Sequence, residues 1–123
     1  MLFRGYTVDL DFKKNLDKVM KTNIRFNEKD RNSSVISCNL ILDNKRINLN
    51  DCTVCADITL DASDYENAKE IKTTIMDAEK GIVAFKLPQE LMVAGVKHMQ
   101  VHVNHKEQVL HSPIIEFEIY AGL

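Results

Sequence analysis

Hydrophobic and polar residues alternate with a period of two through most of this chain, and helical spacing is rare. Such alternation is typical of β-strands that bury one face and expose the other. It predicts strands over residues 4–11, 35–42, 53–60, 71–75, 83–87, 96–103 and 109–120, with a short edge segment at 47–49. The side chains predicted to face inward are Tyr6, Val8, Leu10, Phe12, Ile36, Cys38, Leu40, Leu42, Val54, Ala56, Ile58, Leu60, Ile71, Thr73, Ile75, Val83, Phe85, Leu87, Met99, Val101, Val103, Ile115, Phe117 and Ile119, with Phe85 at the centre of the core.

Turn-forming residues separate these predicted strands. Asp43-Asn44 suits a tight turn because both side chains tolerate left-handed backbone, and residues 77–81 predict a hairpin loop. Residues 11–23 are predicted to be mostly loop, although their apolar spacing also fits a short amphipathic helix. One helical turn is predicted over 88–94, which has proline at its start and glycine behind it. Pro113 predicts a bulge or an edge in the last strand, because proline cannot donate to a central ladder.

The number and length of these elements predict the fold class. Seven or eight short strands, without a helix long enough to connect parallel partners, favour an antiparallel two-sheet β-sandwich of the immunoglobulin-like kind. At 123 residues the chain has the length of a single domain with one hydrophobic core. We therefore predict an all-β fold in which residues 1–123 form one domain with at most one short helix.

Charge and cysteine content exclude several classes of partner. Sixteen basic and eighteen acidic residues give a net charge of −2, so no overall positive field attracts nucleic acid or anionic lipid. Five basic residues crowd one stretch, and we interpret them as a solvated face: Lys13, Lys14, Lys18, Lys21 and Arg25. No apolar run approaches the roughly 18 residues of a membrane span, and no signal peptide is expected. Three cysteines, an odd number, indicate free thiols in a reducing cytoplasm.

Cys52 and Cys55 form a CxxC motif, a spacing that can bind zinc or form a redox pair. Here the motif leads into a predicted strand. Three residues along a strand place two side chains on opposite faces about 10 Å apart, too far for a disulfide or a shared ion. We therefore interpret both cysteines as small buried side chains.

Four histidines suggest a second candidate metal site, especially in combination with Cys52 and Cys55: His98, His102, His105 and His111. In an extended strand His98 and His102 share a face but lie about 13 Å apart, too far to ligate one zinc ion. His105 falls in the predicted turn. We interpret the four as surface histidines and expect no zinc.

Catalytic residue patterns are also weak. Ser33, Ser34 and Ser112 lie outside a GxSxG context, and no glycine-rich phosphate loop is present. Glu116 and Glu118 share the outer face of a predicted strand at about 7 Å, a spacing that glycosidase acids can show. Without tryptophan or a tyrosine-lined cleft, solvated outer-face residues are the simpler interpretation. We predict no catalytic, cofactor-binding or metal site, no cofactor, and no enzyme.

A series of short motifs in a fixed order resembles a known family. These motifs are Ile24-Arg25-Phe26, Asp30-Arg31-Asn32-Ser33-Ser34-Val35, Ile47-Asn48-Leu49, Val54-Cys55-Ala56-Asp57-Ile58-Thr59-Leu60, Gly81 before Val83-Ala84-Phe85-Lys86-Leu87-Pro88, Gly95 before a strand, and Ile115-Glu116-Phe117-Glu118-Ile119. Together they cover roughly residues 6–120 and are similar to the N-terminal domain of the baseplate upper proteins of tailed phages (siphophages) and prophages of Gram-positive bacteria.

The resemblance implies a β-sandwich that docks the receptor-binding apparatus onto the distal tail of a virion. The implied partners are the distal tail protein and the receptor-binding protein, and the implied assembly is a homo-oligomer, a trimer in the family, made in the bacterial host cytoplasm. Members usually continue into a longer C-terminal portion, so we expect either a truncated piece or a short stand-alone relative. The alternative function is a carbohydrate-binding module for a host cell-wall polymer, which the absence of tryptophan disfavours.

The motifs also contain residues with a predicted structural role. Asp30 and Asn32 suit a tight turn before the strand over 35–42, where their side chains can bond local backbone amides. Gly81 and Gly95 are expected at backbone positions that a Cβ atom would strain.

Overall fold

The computed structural model describes residues 2–123, which form eleven β-strands and two short 3-10 turns. In chain order the strands are β1 (Arg4–Asp11), β2 (Val19–Asn27), β3 (Ser34–Leu42), β4 (Lys45–Arg46), β5 (Thr53–Ile58), β6 (Lys69–Lys72), β7 (Thr74–Asp77), β8 (Ile82–Lys86), β9 (Gly95–His105), β10 (Gln108–His111) and β11 (Ile114–Tyr120). The 3-10 turns are Tyr65–Asn67 and Gln89–Leu91, and the second confirms the helical turn predicted over 88–94.

The strands form two sheets that pack as a sandwich. In the first sheet the order is β1-β3-β8-β7, and β4 pairs with β3. In the second sheet the order is β2-β11-β9-β5-β6, and β10 pairs with β9. Among residues 2–123 no helix has the length and apolar character needed to cross a membrane.

Two of the strand pairs are parallel, namely β1 with β3 and β2 with β11. The all-β sandwich is therefore confirmed, but the sheets are mixed rather than purely antiparallel. Between β1 and β3 the chain passes through β2 in the opposite sheet, so a strand of the other layer supplies the crossover that parallel neighbours require. Alternation along one strand does not contain this information, since parallel and antiparallel strands share the same period.

The core lies between the sheets and consists of the alternating apolar residues. Buried side chains come from both sheets. The first sheet contributes Leu10, Ile36, Cys38, Leu40, Val83 and Phe85, together with Phe12 directly after β1. The second sheet contributes Ile24, Phe26, Val54, Ala56, Ile58, Met99, Val101, Val103, Ile115, Phe117 and Ile119. Burial confirms Phe85 as a core residue. Phe26 and Phe117 are the most enclosed aromatic residues, and their rings meet edge to face with centroids 6.3 Å apart.

Two strands were not predicted, β2 and the two-residue β4. The single strand predicted over 71–75 is wrong as well, because the chain changes sheets at Thr73 and forms β6 in the second sheet and β7 in the first. β2 (Val19–Asn27) begins inside residues 11–23, so the prediction of a loop holds for residues 12–18 and is wrong for 19–23, and the alternative helix does not form. The predicted edge segment at 47–49 is not a strand either. β4 ends at Arg46, and Leu49 then turns inward, where its amide donates to the Ala78 carbonyl at 2.8 Å.

The prediction of which side chains face inward is wrong at the end of β5. β5 ends at Ile58, after which Thr59 is buried and Leu60 is 46% exposed, the reverse of the predicted phase. The Thr59 amide donates to the His98 carbonyl, and the Thr59 hydroxyl accepts from the His98 amide. These bonds to β9 turn Thr59 inward and Leu60 outward.

One buried charge lies at this end of the sandwich. Lys97 occupies an inward-facing position in β9 with no exposed surface, and its Nζ atom donates to the Leu60 carbonyl. Burial lowers the pKa of Lys97, an effect that the nearby Asp61 carboxylate partly opposes. The lysine therefore ties the loop after β5 to β9.

Candidate functional site

Polar side chains collect on the outer face of the second sheet, across β5, β6, β9 and β11. His98 and His102 both point outward from β9, as predicted. Neither is a solvated surface residue, because their side chains are only 13% and 12% exposed. Tyrosine and carboxylate side chains from neighbouring segments cover them. We call this group the outer-face polar cluster.

At one end of the cluster, His98 is bonded at both ring nitrogens. Its Nε2 atom lies 3.1 Å from Glu116 Oε1 on β11, and its Nδ1 atom lies 2.7 Å from the Tyr65 hydroxyl. A neutral imidazole satisfies both contacts when Nε2–H donates to the carboxylate and the tyrosine donates to Nδ1. Tyr65 is half exposed and borders a pocket of about 320 Å³ whose polar lining includes Asp57 and Gln100.

At the other end of the cluster, two carboxylates flank His102. Its Nδ1 atom lies 3.0 Å from Asp57 Oδ2 on β5, and its Nε2 atom lies 3.5 Å from Glu70 Oε2 on β6. Cys55 is the direct cross-strand neighbour of His102. The ring of His111, on β10, packs beside the His102 ring with centroids 5.6 Å apart.

The three cysteines are free and differ in environment. Cys38 is fully buried, and burial raises its pKa to about 12. Cys52 and Cys55 are only partly buried, so the prediction of two buried side chains is wrong. The Cys52 thiol lies near the Asn50 carbonyl, whereas Cys55 joins the outer-face polar cluster. Burial, followed by Glu70 and Asp57, raises the Cys55 pKa.

A second feature is the hairpin formed by β9 and β10. All four residues of β10 are exposed, including Val109 at 49% and Leu110 at 43%. Adjacent strand residues point to opposite faces, so exposure of both means that neither face of β10 packs against the core. Beside it lies an open groove of about 620 Å³ lined by Leu42, Ile47, Val103 and other side chains. We call this surface the hairpin groove.

The basic stretch is exposed, as predicted, and its charges are partly paired. Lys13 forms an ion pair with Asp43 in the turn after β3. Arg25 pairs with Glu118 at 3.1 Å, and its guanidinium stacks over the Tyr120 ring. Glu116 and Glu118 therefore serve different partners, Glu116 bonding His98 and Glu118 bonding Arg25.

The predicted turns form, but one of the predicted side-chain hydrogen bonds within them does not. Asn32, Asp43, Asn44 and Gly81 all have positive φ, which confirms the predicted turns. Asp30 does not bond a local amide; its carboxylate accepts from Arg4 Nε at 3.2 Å. Asn27 performs the local role instead, since its side chain accepts from the Lys29 amide. Gly95 also has a positive φ, which confirms the prediction that a Cβ atom would strain the backbone at this position.

Ser33 directly precedes β3, and Ser34 is its first residue. Within the described residues, neither serine is hydrogen-bonded to a histidine or a carboxylate. Ser112 is buried between β10 and β11, where its hydroxyl accepts from the Val101 amide and donates to the Pro113 carbonyl. Ser112-Pro113 therefore divides the last predicted strand, as expected.

Asp57 and Glu70 were not predicted as partners of His102, because the strand register that joins them is not visible in the sequence. The alternation did place Cys55, Asp57 and His102 outward. It could not show that β5 and β9 are neighbours.

The molecule is a mixed two-sheet sandwich with a polar cluster on one outer face and one exposed hairpin strand, β10. A family model described as the BppU N-terminal domain matches residues 4–123. The chain belongs to this family of phage baseplate domains, which confirms the resemblance and gives it a structural role in the phage baseplate.

A solved structure supports the same fold. The N-terminal domain of phage TP901-1 ORF48 superposes with a TM-score of 0.73 at 10% sequence identity, covering 94% of this chain and 98% of that one. At this identity the likeness shows the fold alone. No curated protein sequence matches the chain.

Proposed function

We propose that this domain docks the receptor-binding apparatus onto the distal tail of a phage or prophage virion through protein–protein contacts, without catalysing a reaction. The observation that carries the proposal is the family match over residues 4–123. We further propose that residues 1–123 act as one domain, and that the domain assembles as a homo-oligomer, a trimer, in the host cytoplasm before joining the virion tail.

The hairpin groove is the surface that we assign to the distal tail protein. β10 pairs with β9 along one side, and within residues 2–123 no strand pairs with its other side. A strand with free backbone donors and acceptors can accept a further strand from a partner, and apolar side chains on both faces add buried area. Val109 and Leu110 supply that apolar area.

The test is a binding measurement between the purified domain and the distal tail protein from the same phage gene cluster. Leu110→Glu places a charge in the hairpin groove and should weaken binding by more than about 10-fold, the effect of losing a central apolar contact. Met76→Glu is the matched control, since Met76 is 64% exposed on β7 of the other sheet. It should change the affinity by less than about 2-fold.

The two possible failures have different meanings. If the wild-type domain forms no complex with the distal tail protein, the docking function is wrong. If the complex forms and Leu110→Glu binds like the wild type, the assignment of the hairpin groove is wrong.

A second candidate function, carbohydrate binding, is favoured by one observation. The pocket beside His98 combines the half-exposed Tyr65 ring with the polar groups of Asp57, Thr59 and Gln100. A ring face and hydrogen-bonding groups are features that sugars can use. Titration with host cell-wall polysaccharide should then shift NMR signals of these residues, and Tyr65→Ala should abolish the shifts while Leu110→Glu leaves them. Unchanged spectra would reject this candidate.

A further inference from the structure

We propose that Cys55, Glu70 and His102 form a binding site for a divalent transition-metal ion of the zinc class on the outer face of the second sheet. One ligand atom from each residue lies within 4.8 Å of the other two. Thiolate, imidazole and carboxylate are the groups that bind zinc in proteins. The proposal departs from the expectation of no metal site, which was based on distances along single strands, whereas these ligands come from three strands.

Strand register brings the three ligands together. In the β5–β9 pair, Cys55 lies directly opposite His102, and in the β5–β6 pair, Asp57 lies opposite Glu70. Side chains directly opposite one another have Cβ atoms about 4.5–5.5 Å apart, and diagonal neighbours lie about 7–8 Å apart, within reach of a long side chain. Glu70 is the diagonal neighbour of Cys55. The backbone ladder therefore positions all three residues before any ion binds.

His102 is oriented for ligation by a group that is not itself one of the three ligands. Asp57 accepts a hydrogen bond from Nδ1 at 3.0 Å, which fixes the proton of a neutral imidazole on that nitrogen. The Nε2 lone pair then faces Glu70 Oε2 across 3.5 Å. Either a proton on Nε2 or a bound metal ion removes the repulsion between this lone pair and the carboxylate, and the metal ion binds by displacing that proton. A carboxylate bonded to the far nitrogen is the usual arrangement behind a metal-bound histidine.

The distances suit a small ion after modest movement. Ligands bound at about 2.0–2.3 Å in tetrahedral geometry lie roughly 3.3–3.8 Å from one another. The contact between His102 and Glu70 already has this length, and the Glu70 side chain is 64% exposed and free to rotate. The bound ion would tie the edge strand β6 to β5 and β9.

Local charge favours a cation at this point. Burial, followed by the negative charges of Glu70 and Asp57, raises the pKa of the Cys55 thiol. The same negative field attracts a divalent ion, which displaces the thiol proton to solvent as the sulfur–metal bond forms. Lys72, the cross-strand neighbour of Cys55 on β6, is an opposing positive charge.

The experiment titrates zinc into the chelator-treated, reduced protein by calorimetry, with cobalt as a spectroscopic probe. We expect saturation near about one equivalent and a thiolate-to-cobalt charge-transfer band. Asp57→Ala should weaken zinc binding by about 10–100-fold, the usual effect of removing a group that orients a ligand. Cys55→Ser and His102→Ala should each weaken it more, and Cys55→Ser should abolish the cobalt band.

Two control variants separate this site from adventitious binding. Cys52→Ser removes the other partly buried thiol, and His98→Ala removes the other histidine that is bonded to a carboxylate. Both should keep the wild-type zinc affinity. Absence of zinc binding by the wild type, equal loss in Cys52→Ser, or a cobalt band retained in Cys55→Ser would overturn the proposal. Metal-free unfolding curves of each variant show that it is folded, and Cys55→Ser provides the conservative substitution.

Discussion

Phe26 should be among the most important residues for the stability of this sandwich, although its strand was not predicted. Its side chain has no exposed surface. The ring meets the Tyr6 ring of the opposite sheet edge to face, with centroids 5.3 Å apart and planes at 83°. It also contacts Phe117 in its own sheet. Phe26 therefore connects the two layers beside their parallel strand pairs.

Replacing Phe26 with alanine removes this contact and leaves a cavity. Phe→Ala substitutions in cores cost about 3–5 kcal/mol, of a total stability of about 5–15 kcal/mol for a typical domain. Phe26→Leu keeps much of the apolar volume but loses the two edge-to-face pairs with Tyr6 and Phe117, worth about 0.5–1.5 kcal/mol each. We therefore expect the free energy of unfolding to fall by about 1–3 kcal/mol. Urea unfolding followed by circular dichroism measures both, and an unchanged slope shows that the same surface unfolds.

The matched control is Phe3→Ala. The Phe3 side chain is 53% exposed and lies under the Lys86 ammonium, so its removal should cost about 1 kcal/mol or less. A loss below about 1 kcal/mol for Phe26→Ala, or a loss equal to that of Phe3→Ala, would refute the assignment of Phe26 as the contact between the sheets.

Two further predictions concern the backbone and a buried charge. Gly81→Ala should lower the free energy of unfolding by more than about 2 kcal/mol, because φ is +64° and the new Cβ would lie 2.6 Å from the Ile47 carbonyl oxygen. The control is Gly5→Ala, which has open space around it and should leave the free energy of unfolding unchanged in the same urea assay. Because burial lowers the pKa of Lys97 below its usual 10.5, the unfolded chain binds more protons between that lowered pKa and 10.5. The stability of the wild type relative to Lys97→Met should therefore rise as pH increases from neutral into that window, and a difference independent of pH would contradict the assignment.

Much of the core could be predicted from the sequence because burial of one strand face imposes a period of two. The strand over residues 34–42 is the clearest case, with Ile36, Cys38 and Leu40 all fully buried as predicted. The prediction failed in β2, where Lys21 and Thr22 precede the buried residues and the N-terminal half of the strand is mostly exposed. An edge strand with little buried surface has a weak alternation pattern.

The candidate sites depended on register, which the sequence does not contain. Cys55 and His102 are 47 positions apart in the numbering, yet they are direct neighbours because β5 and β9 pair in one particular alignment. Distances along one strand argue against a shared ion for His98 and His102. They could say nothing about ligands contributed by adjacent strands.

The sequence alone determined the all-β class, most inward-facing residues, the main turns and the family resemblance. All of these depend on residues close together in the chain or on motifs in a fixed order. The tertiary structure decided which strands are neighbours, which pairs are parallel and which polar groups meet on the outer face. Those features depend on how two layers exchange strands to bury both apolar faces at once, a property of the whole packed chain rather than of any segment.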